Sequence, residues 1–227
     1  MSLGRRPLRV LISSGPTREP LDPVRFLSNY STGFMGAQLA AEALKRGHRV
    51  TVVSGPGVEP LPARARVIPV EHASEMERAL RQQAPRADAV IMAAAVADFT
   101  PHHRQAGKLR RGAPLRLRLK PTPDIIARLP RRRGQIRVGF ALETGQVLAR
   151  AARKLRGKRL DLLLAQDAGA SGGPFGRRAV RAWLLERNGT VTALGRRAKR
   201  NIARALLDKT ESLWYGQLRA TASRKRA

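Results

Sequence analysis

The 227-residue sequence predicts an α/β protein: a Rossmann-like, doubly wound, mostly parallel sheet with an antiparallel hairpin extension and a basic flap. Three observations carry this prediction. Short apolar runs rich in β-branched residues alternate with segments of helical period. Two further apolar runs flank Asn188-Gly189, a strong two-residue hairpin signal. Finally, some twenty largely polar residues, 14–33, intervene between the first strand and the first helix, a junction usually crossed in about two to six residues. An insertion at the carboxyl end of a first strand lies where open α/β sheets bind ligands.

Taken in order, Leu8–Ser13 reads as a buried parallel strand. The helix Phe34–Arg46 follows, with Met35, Leu39, Ala40, Ala43 and Leu44 on one stripe and Gly47 as its stop. Arg49–Ser54 is the second strand and Val67–Val70 the third. Ser74-Glu-Met-Glu77 has the spacing of a capping box that opens a helix to Gln83. Asp88–Ala94 is the fourth strand, wholly apolar after Asp88. Thr100–Leu119 holds Pro101, His102, His103, Gly107, Gly112 and Pro114 and then the alternating run LRLRLK. It reads as a mobile basic flap with a strand pair at its base. Thr122-Pro123-Asp124 has the order N-cap, proline at N1, acid in the first turn. Arg137–Ala141 is a strand, Gln146–Arg156 a helix ended by Gly157, and Leu160–Ala165 another strand. The hairpin strands are Val180–Glu186 and Thr190–Leu194, and Arg200–Lys209 is a closing helix. Without an internal repeat or a linker, residues 1–210 are expected as one domain and residues 211–227 as a flexible basic tail.

Composition narrows the chemistry. The absence of cysteine excludes disulfides, thiolate metal sites and a cysteine nucleophile. The N-terminus lacks the apolar run of a signal peptide, and no stretch of about eighteen apolar residues exists to span a membrane; a soluble, cytoplasmic protein is expected. The 45 Lys+Arg against 16 Asp+Glu leave a net charge of +29, which suits polyanionic ligands. Nucleic acid is one such ligand, because clustered cations displace its counterions. Against that reading, aromatic residues are only 4% of the chain, so stacking platforms are few. The cations are also scattered (Arg131–Arg133, Arg177–Arg181, Arg196–Arg200, Arg224–Arg226) rather than gathered on one helix face. A basic nucleic-acid-binding protein is the rival reading from another class.

A dinucleotide fingerprint needs its glycines in the first strand–helix turn. Here Gly15 is followed by Pro16, and Gly33 and Gly36 come only after the insertion. That leaves an NAD(P)-dependent reductase as the poorer alternative. Ser31, Thr32 and Gly33, just ahead of the helix, suit a phosphate or simple N-capping equally well.

Several motifs occur in one order: GPTREPLDPVRFLSNYSTGFMG from Gly15, Ala94-Ala-Val-Ala-Asp98, Lys108-Leu-Arg-Arg111, Thr122-Pro-Asp-Ile125, Val138-Gly-Phe-Ala-Leu-Glu-Thr144, then Lys154, Lys158 and Leu160-Asp161. Together they resemble phosphopantothenate–cysteine ligase, often fused in bacteria behind a flavin-dependent decarboxylase. The resemblance runs from Val10 to Lys209 and covers the ligase half alone, so a free-standing ligase is expected. It implies amide formation between 4′-phosphopantothenate and L-cysteine. CTP would activate the carboxylate as an acyl-cytidylate, with Mg2+ as cofactor and a homodimer whose site lies close to the subunit interface.

The resemblance also implies roles for individual residues. Asn29 matches the family's catalytic asparagine, whose amide would donate to the acyl-cytidylate carbonyl; without the resemblance it reads as a turn residue. Lys108 matches a flap lysine that reaches the CTP phosphates, and Lys154 and Lys158 a pair gripping the triphosphate. Read alone, Lys108 is a solvated loop lysine and the pair complements a helix dipole. Asp98 suits a ribose hydroxyl or magnesium, although no metal ligand set is assigned. Thr122, Pro123, Asp124, Ile125 and Phe140 match contacts to the nucleotide base, and Phe140 also suits core packing. Arg25, Ser31, Thr32 and Gly33 are candidates for phosphate or carboxylate. The chain departs from the family pattern at Phe34, where many relatives carry lysine, at Arg110 and Arg111, and at Gln166, where asparagine is usual.

Overall fold

A computed structural model describes residues 6–112, 115–169 and 174–224. From the N-terminus run strand β1 (Arg9–Ser14), a hairpin of β2 (Arg18–Pro20) and β3 (Phe26–Ser28), helix α1 (Phe34–Lys45), strands β4 (Arg49–Ser54) and β5 (Arg66–Pro69), helix α2 (Ala73–Gln83) and strand β6 (Ala89–Met92). The chain continues through β7 (Phe99–Pro101), β8 (Leu119–Pro121), the short α3 (Ile125–Arg128), β9 (Ile136–Glu143), α4 (Val147–Gly157), β10 (Leu162–Asp167), the hairpin β11 (Val180–Glu186) and β12 (Val191–Arg197), and α5 (Lys199–Arg224).

Eight strands form the central sheet in the order β12-β11-β10-β9-β6-β1-β4-β5. The six from β10 to β5 pair in parallel, and β11 and β12 extend the β10 edge antiparallel. Numbered among themselves, the parallel strands lie in the doubly wound order 3-2-1-4-5-6, as the alternation in the sequence predicts. Period-two alternation sorts their side chains between two layers. Val10, Ile12, Ile91 and Leu164 pack with Leu39 of α1 and Ile202 and Leu206 of α5. Leu11, Val90 and Leu163 pack with Met76 and Leu80 of α2 and Leu155 of α4. Each such side chain, withdrawn from water, contributes about 1.5–3 kcal/mol.

Part of the excess positive charge is spent at the amino ends of the strands. Asp88, buried just before β6, accepts from the Arg9 guanidinium at 3.0 Å and from Arg132 at 2.8 Å. Burial alone would raise its pKa, but the Arg9 and Arg132 contacts more than offset this and hold it below the usual carboxylate range. Asp161, just before β10, pairs with Arg131 at 2.9 Å and Arg187 at 3.2 Å. Both clusters lie at the opposite end of the sheet from the strands' carboxyl termini.

Four local expectations are corrected. The insertion is not an open loop: β2 pairs with β3, and buried Glu19 accepts the Ala73 N–H at 2.9 Å, tying the hairpin to the start of α2. Helix α2 is not capped by Ser74. His72 is its N-cap residue, and Glu75 accepts the backbone N–H groups of Glu71 at 2.7 Å and His72 at 3.3 Å. Asp124, not Thr122, caps α3, accepting from the Ala127 N–H at 3.4 Å. The closing helix does not end at Lys209 but runs to Arg224, so the expected basic tail begins inside it. Buried Thr210 and Trp214 carry the apolar face of α5 beyond that point. The strand pair expected at the base of the flap is present as β7 and β8.

Candidate active site

The strand order reverses between β1 and β6, the place where doubly wound sheets open a crevice. The chain bridges that crevice. Pro16 and Ala95 pair as an isolated parallel bridge, with the Ala95 N–H donating to Gly15 O at 2.9 Å. Next to it a cavity of about 700 Å³ opens above the carboxyl ends of β6, β9 and β10, walled by Asn29, Thr32, Asp98, Phe140 and Lys154 among others. Two glycines shape its α1 side. Gly33 takes the left-handed conformation, φ +84°, to start α1. A Cβ at Gly36 would collide with the Ser14 side chain, so only glycine lets α1 approach β1 this closely.

The β2–β3 hairpin delivers Asn29 to the crevice. Ser28 Oγ donates to Thr17 O at 2.8 Å and Asn29 Nδ2 to Ala95 O at 2.9 Å. One of the two amide N–H bonds is thereby used to fix the side chain, and the other remains for a ligand. Ser31 Oγ accepts the Gly33 N–H and Thr32 Oγ1 the Phe34 N–H, each at 3.3 Å. These hydroxyls therefore act as capping groups while both residues also line the cavity. Gly33, the N-cap residue of α1, is not among the residues lining the cavity.

At the other wall, Thr122 is locked to the segment between β6 and β7: its N–H donates to Asp98 O at 2.9 Å and its hydroxyl to Ala97 O at 2.5 Å. This brings Asp98, Thr122, Pro123, Asp124, Ile125 and Phe140 to one cavity. Lys154 and Lys158 project into it from the end of α4. Lys158 pairs with Asp124 at 3.0 Å. Lys154 has no ion pair among the described residues; burial, then the neighbouring Lys158 charge, push its pKa down, while Glu143, Asp98 and Asp124 oppose this.

Arg25 and Lys108 lie elsewhere. They line a separate cleft of about 550 Å³ with Leu109, Arg110 and Arg111. Buried Asp22 organises it, accepting from the N–H groups of Val24 and Arg25 at 2.7 Å and of Leu109 at 3.0 Å. Burial would raise the Asp22 pKa, but those hydrogen bonds outweigh it and hold it low. The Arg25 guanidinium donates to Leu109 O, clamping the flap to the β2–β3 loop.

Among the cavity residues without a sequence-predicted site role, Phe34, Gln166 and Lys199 bear on its chemistry. Phe34, noted as the loss of a cation, lies under the Arg177 guanidinium at 5.5 Å from the ring centroid, so a positive charge returns from another segment. Gln166 lines the cavity from β10. Lys199, the first residue of α5, lines it too although buried. In the sequence it is hidden in the cationic run Arg196–Arg200 and reads as solvated surface.

Comparison with known proteins places this architecture. Residues 6–213 match the family described as the DNA/pantothenate metabolism flavoprotein C-terminal domain. The chain is 38% identical over 209 residues to a cysteine/cysteine sulfinic acid decarboxylase from an unknown prokaryotic organism, covering 90% of this chain and 58% of that protein. It is 44% identical over 170 residues to the coenzyme A biosynthesis bifunctional protein CoaBC of Bacillus subtilis (strain 168), covering 74% and 42%. The chain thus spans about half the length of the curated relatives it matches. A crystal structure of the C-terminal domain of CoaBC superposes with a TM-score of 0.77 at 31% identity, over 92% of this chain and 96% of that one. The chain belongs to the DNA/pantothenate metabolism flavoprotein C-terminal domain family, matching the C-terminal domain of the bifunctional CoaBC proteins.

Proposed function

We propose that the cavity joins 4′-phosphopantothenate to L-cysteine, using CTP to activate the carboxylate. The observation that carries this reading is the convergence of Asn29, Asp98, Thr122, Asp124, Phe140, Lys154 and Lys158 on one cavity at the strand-order reversal. A carboxylate is a poor acylating agent, so its oxygen first attacks the α-phosphorus of CTP. The bond to the β-phosphate oxygen breaks and pyrophosphate leaves. The cysteine nitrogen then attacks the acyl carbonyl, the carbonyl carbon–oxygen bond breaks, CMP leaves and the amine loses its proton. The remaining Asn29 N–H serves the oxygen that gains charge in that second step. Lys154 and Lys158 serve the triphosphate, and the backbone from Thr122 to Ile125 reads the base edge while Phe140 covers its face.

Magnesium fits this donor set. Among the described residues no group of three acidic or imidazole side chains gathers, but magnesium is commonly held by one or two carboxylates together with substrate phosphates and water. Asp98 and Asp124 line the cavity and would hold the ion there. When bound, the ion would neutralise phosphate charge.

The test is pyrophosphate release with phosphopantothenate present and absent, CTP against ATP. Release that requires phosphopantothenate and favours CTP is expected; preference for ATP would sink the cytosine reading of residues 122–125.

The Arg25–Lys108 cleft suits a shared site. We place these cations in service of the cavity of a second copy, across an interface including the exposed Phe26, Tyr30 and Phe99. Lys108→Ala should cut turnover more than about tenfold. Mixing inactive Asn29→Ala and Lys108→Ala variants should then restore about a quarter of wild-type activity, since half of randomly formed dimers carry one intact site. No recovery on subunit exchange would place both residues in one chain's site.

A further inference from the structure

We propose that Lys199 and the first turn of α5 form a phosphate-binding position in the cavity, on the opposite face of the sheet from Lys154 and Lys158. Strand β12 runs parallel to β10, because β11 is antiparallel to both. Helix α5 therefore starts at the cavity end of the sheet, as α1 does, and the two pack together on one face. Their amino termini both open toward the cavity, and Phe34 and Lys199 line it.

The side chain itself supplies the second observation. Lys199 is only 6% exposed, yet it lines the cavity and has no hydrogen bond or ion pair among the described residues. No wholly buried side-chain nitrogen or oxygen lacks a partner among those residues, so the Lys199 ammonium is open to the cavity. The nearby carboxylate, Glu59, is engaged by Arg177 at 3.2 Å. Burial lowers the Lys199 pKa to about 8, against a smaller raising effect of Glu59, so the group is still mainly protonated at neutral pH. The backbone adds to it. Ala198 has no side-chain oxygen to cap α5, and its carbonyl accepts the N–H groups of Asn201 at 2.9 Å and Ile202 at 3.2 Å. The N–H groups of Lys199 and Arg200 precede the intrahelical ladder and are donors for an oxyanion.

A buried ammonium beside an uncapped helix start suits a phosphoryl group, and a polyphosphate held there would meet cations from both layers. The source of the phosphate, nucleotide or pantothenate derivative, rests on the ligase reading; the existence of the position does not. Titration calorimetry on wild type and Lys199→Gln would use inorganic pyrophosphate, CTP and 4′-phosphopantothenate as separate probes. A loss of about tenfold or more for pyrophosphate and CTP supports the position and assigns it to the nucleotide. A loss confined to 4′-phosphopantothenate supports it and assigns it to that substrate's phosphate. Affinities unchanged within about twofold for all three overturn it.

A second measurement needs no variant. Acetic anhydride at pH 8 should label Lys199 in the intact protein, and saturating pyrophosphate or saturating 4′-phosphopantothenate should protect it, as read by peptide mass spectrometry. Labelling undiminished by either probe overturns the proposal. A protein that protects Lys199 but makes no cytidylate would lose the ligase reading and keep the phosphate position.

Discussion

Asn29→Ala is expected to lower amide formation by about 10²–10³-fold, the loss associated with removing one donor to a developing oxyanion. Its effect should fall on the second half-reaction. In the proposed reaction carboxylate attack on CTP does not use Asn29, so the acyl-cytidylate should still form and accumulate in rapid-quench samples. The folded state should change little: Asn29 is exposed and gives up one hydrogen bond, to Ala95 O, worth about 1 kcal/mol. Turnover equal to wild type, or loss of cytidylate formation together with amide formation, would count against its role.

Lys154→Gln should raise the KM for CTP by about ten- to a hundredfold, the range of a lost charged hydrogen bond of about 1.5–3 kcal/mol. Lys154 is part-buried and, among the described residues, has no ion pair, with Lys158 one helical turn away. Such a site is costly to fill with a second positive charge and is relieved by a polyphosphate. Thermal stability of the unliganded variant should therefore hold or rise, while stabilisation by CTP collapses. Lys158→Gln should cost less affinity, since Lys158 already shares its charge with Asp124 at 3.0 Å. An unchanged KM for Lys154→Gln, or a greater loss for Lys158→Gln, would reverse this ordering.

The parallel core was legible because its signals are local and strong. RVLISS and LLLAQD are short apolar strands bounded by polar or glycine-containing turns, and Asn188-Gly189 specified its hairpin in isolation. The β2–β3 hairpin was not legible. Its strands are three residues each, β2 contains Pro20 and β3 is mostly exposed; they persist because Glu19 and Asn29 bond to distant segments. The length of α5 was hidden similarly: beyond Lys209 the sequence is mostly polar and holds Gly216, and it is the packing of Leu213, Trp214 and Tyr215 against the core that carries the helix on. Within the site, the family resemblance pointed to Asn29, Asp98, Thr122 and Phe140, which the fold brings to one cavity. It did not reveal that Arg25 and Lys108 lie in another cleft, since a flap's reach depends on packing such as the Asp22 contacts. Lys199 escaped because burial, not sequence, separates it from its exposed neighbour Arg200.

On the proposed function, the cavity should activate a carboxylate as an acyl nucleotide. The most direct measurement uses 4′-phosphopantothenate carrying 18O in both carboxylate oxygens, with CTP, magnesium and cysteine. Attack on the α-phosphorus followed by cleavage of the carbonyl carbon–oxygen bond transfers one labelled oxygen to the CMP phosphate. CMP with one 18O per turnover is the expected result; unlabelled CMP, or label recovered in inorganic phosphate, would contradict it.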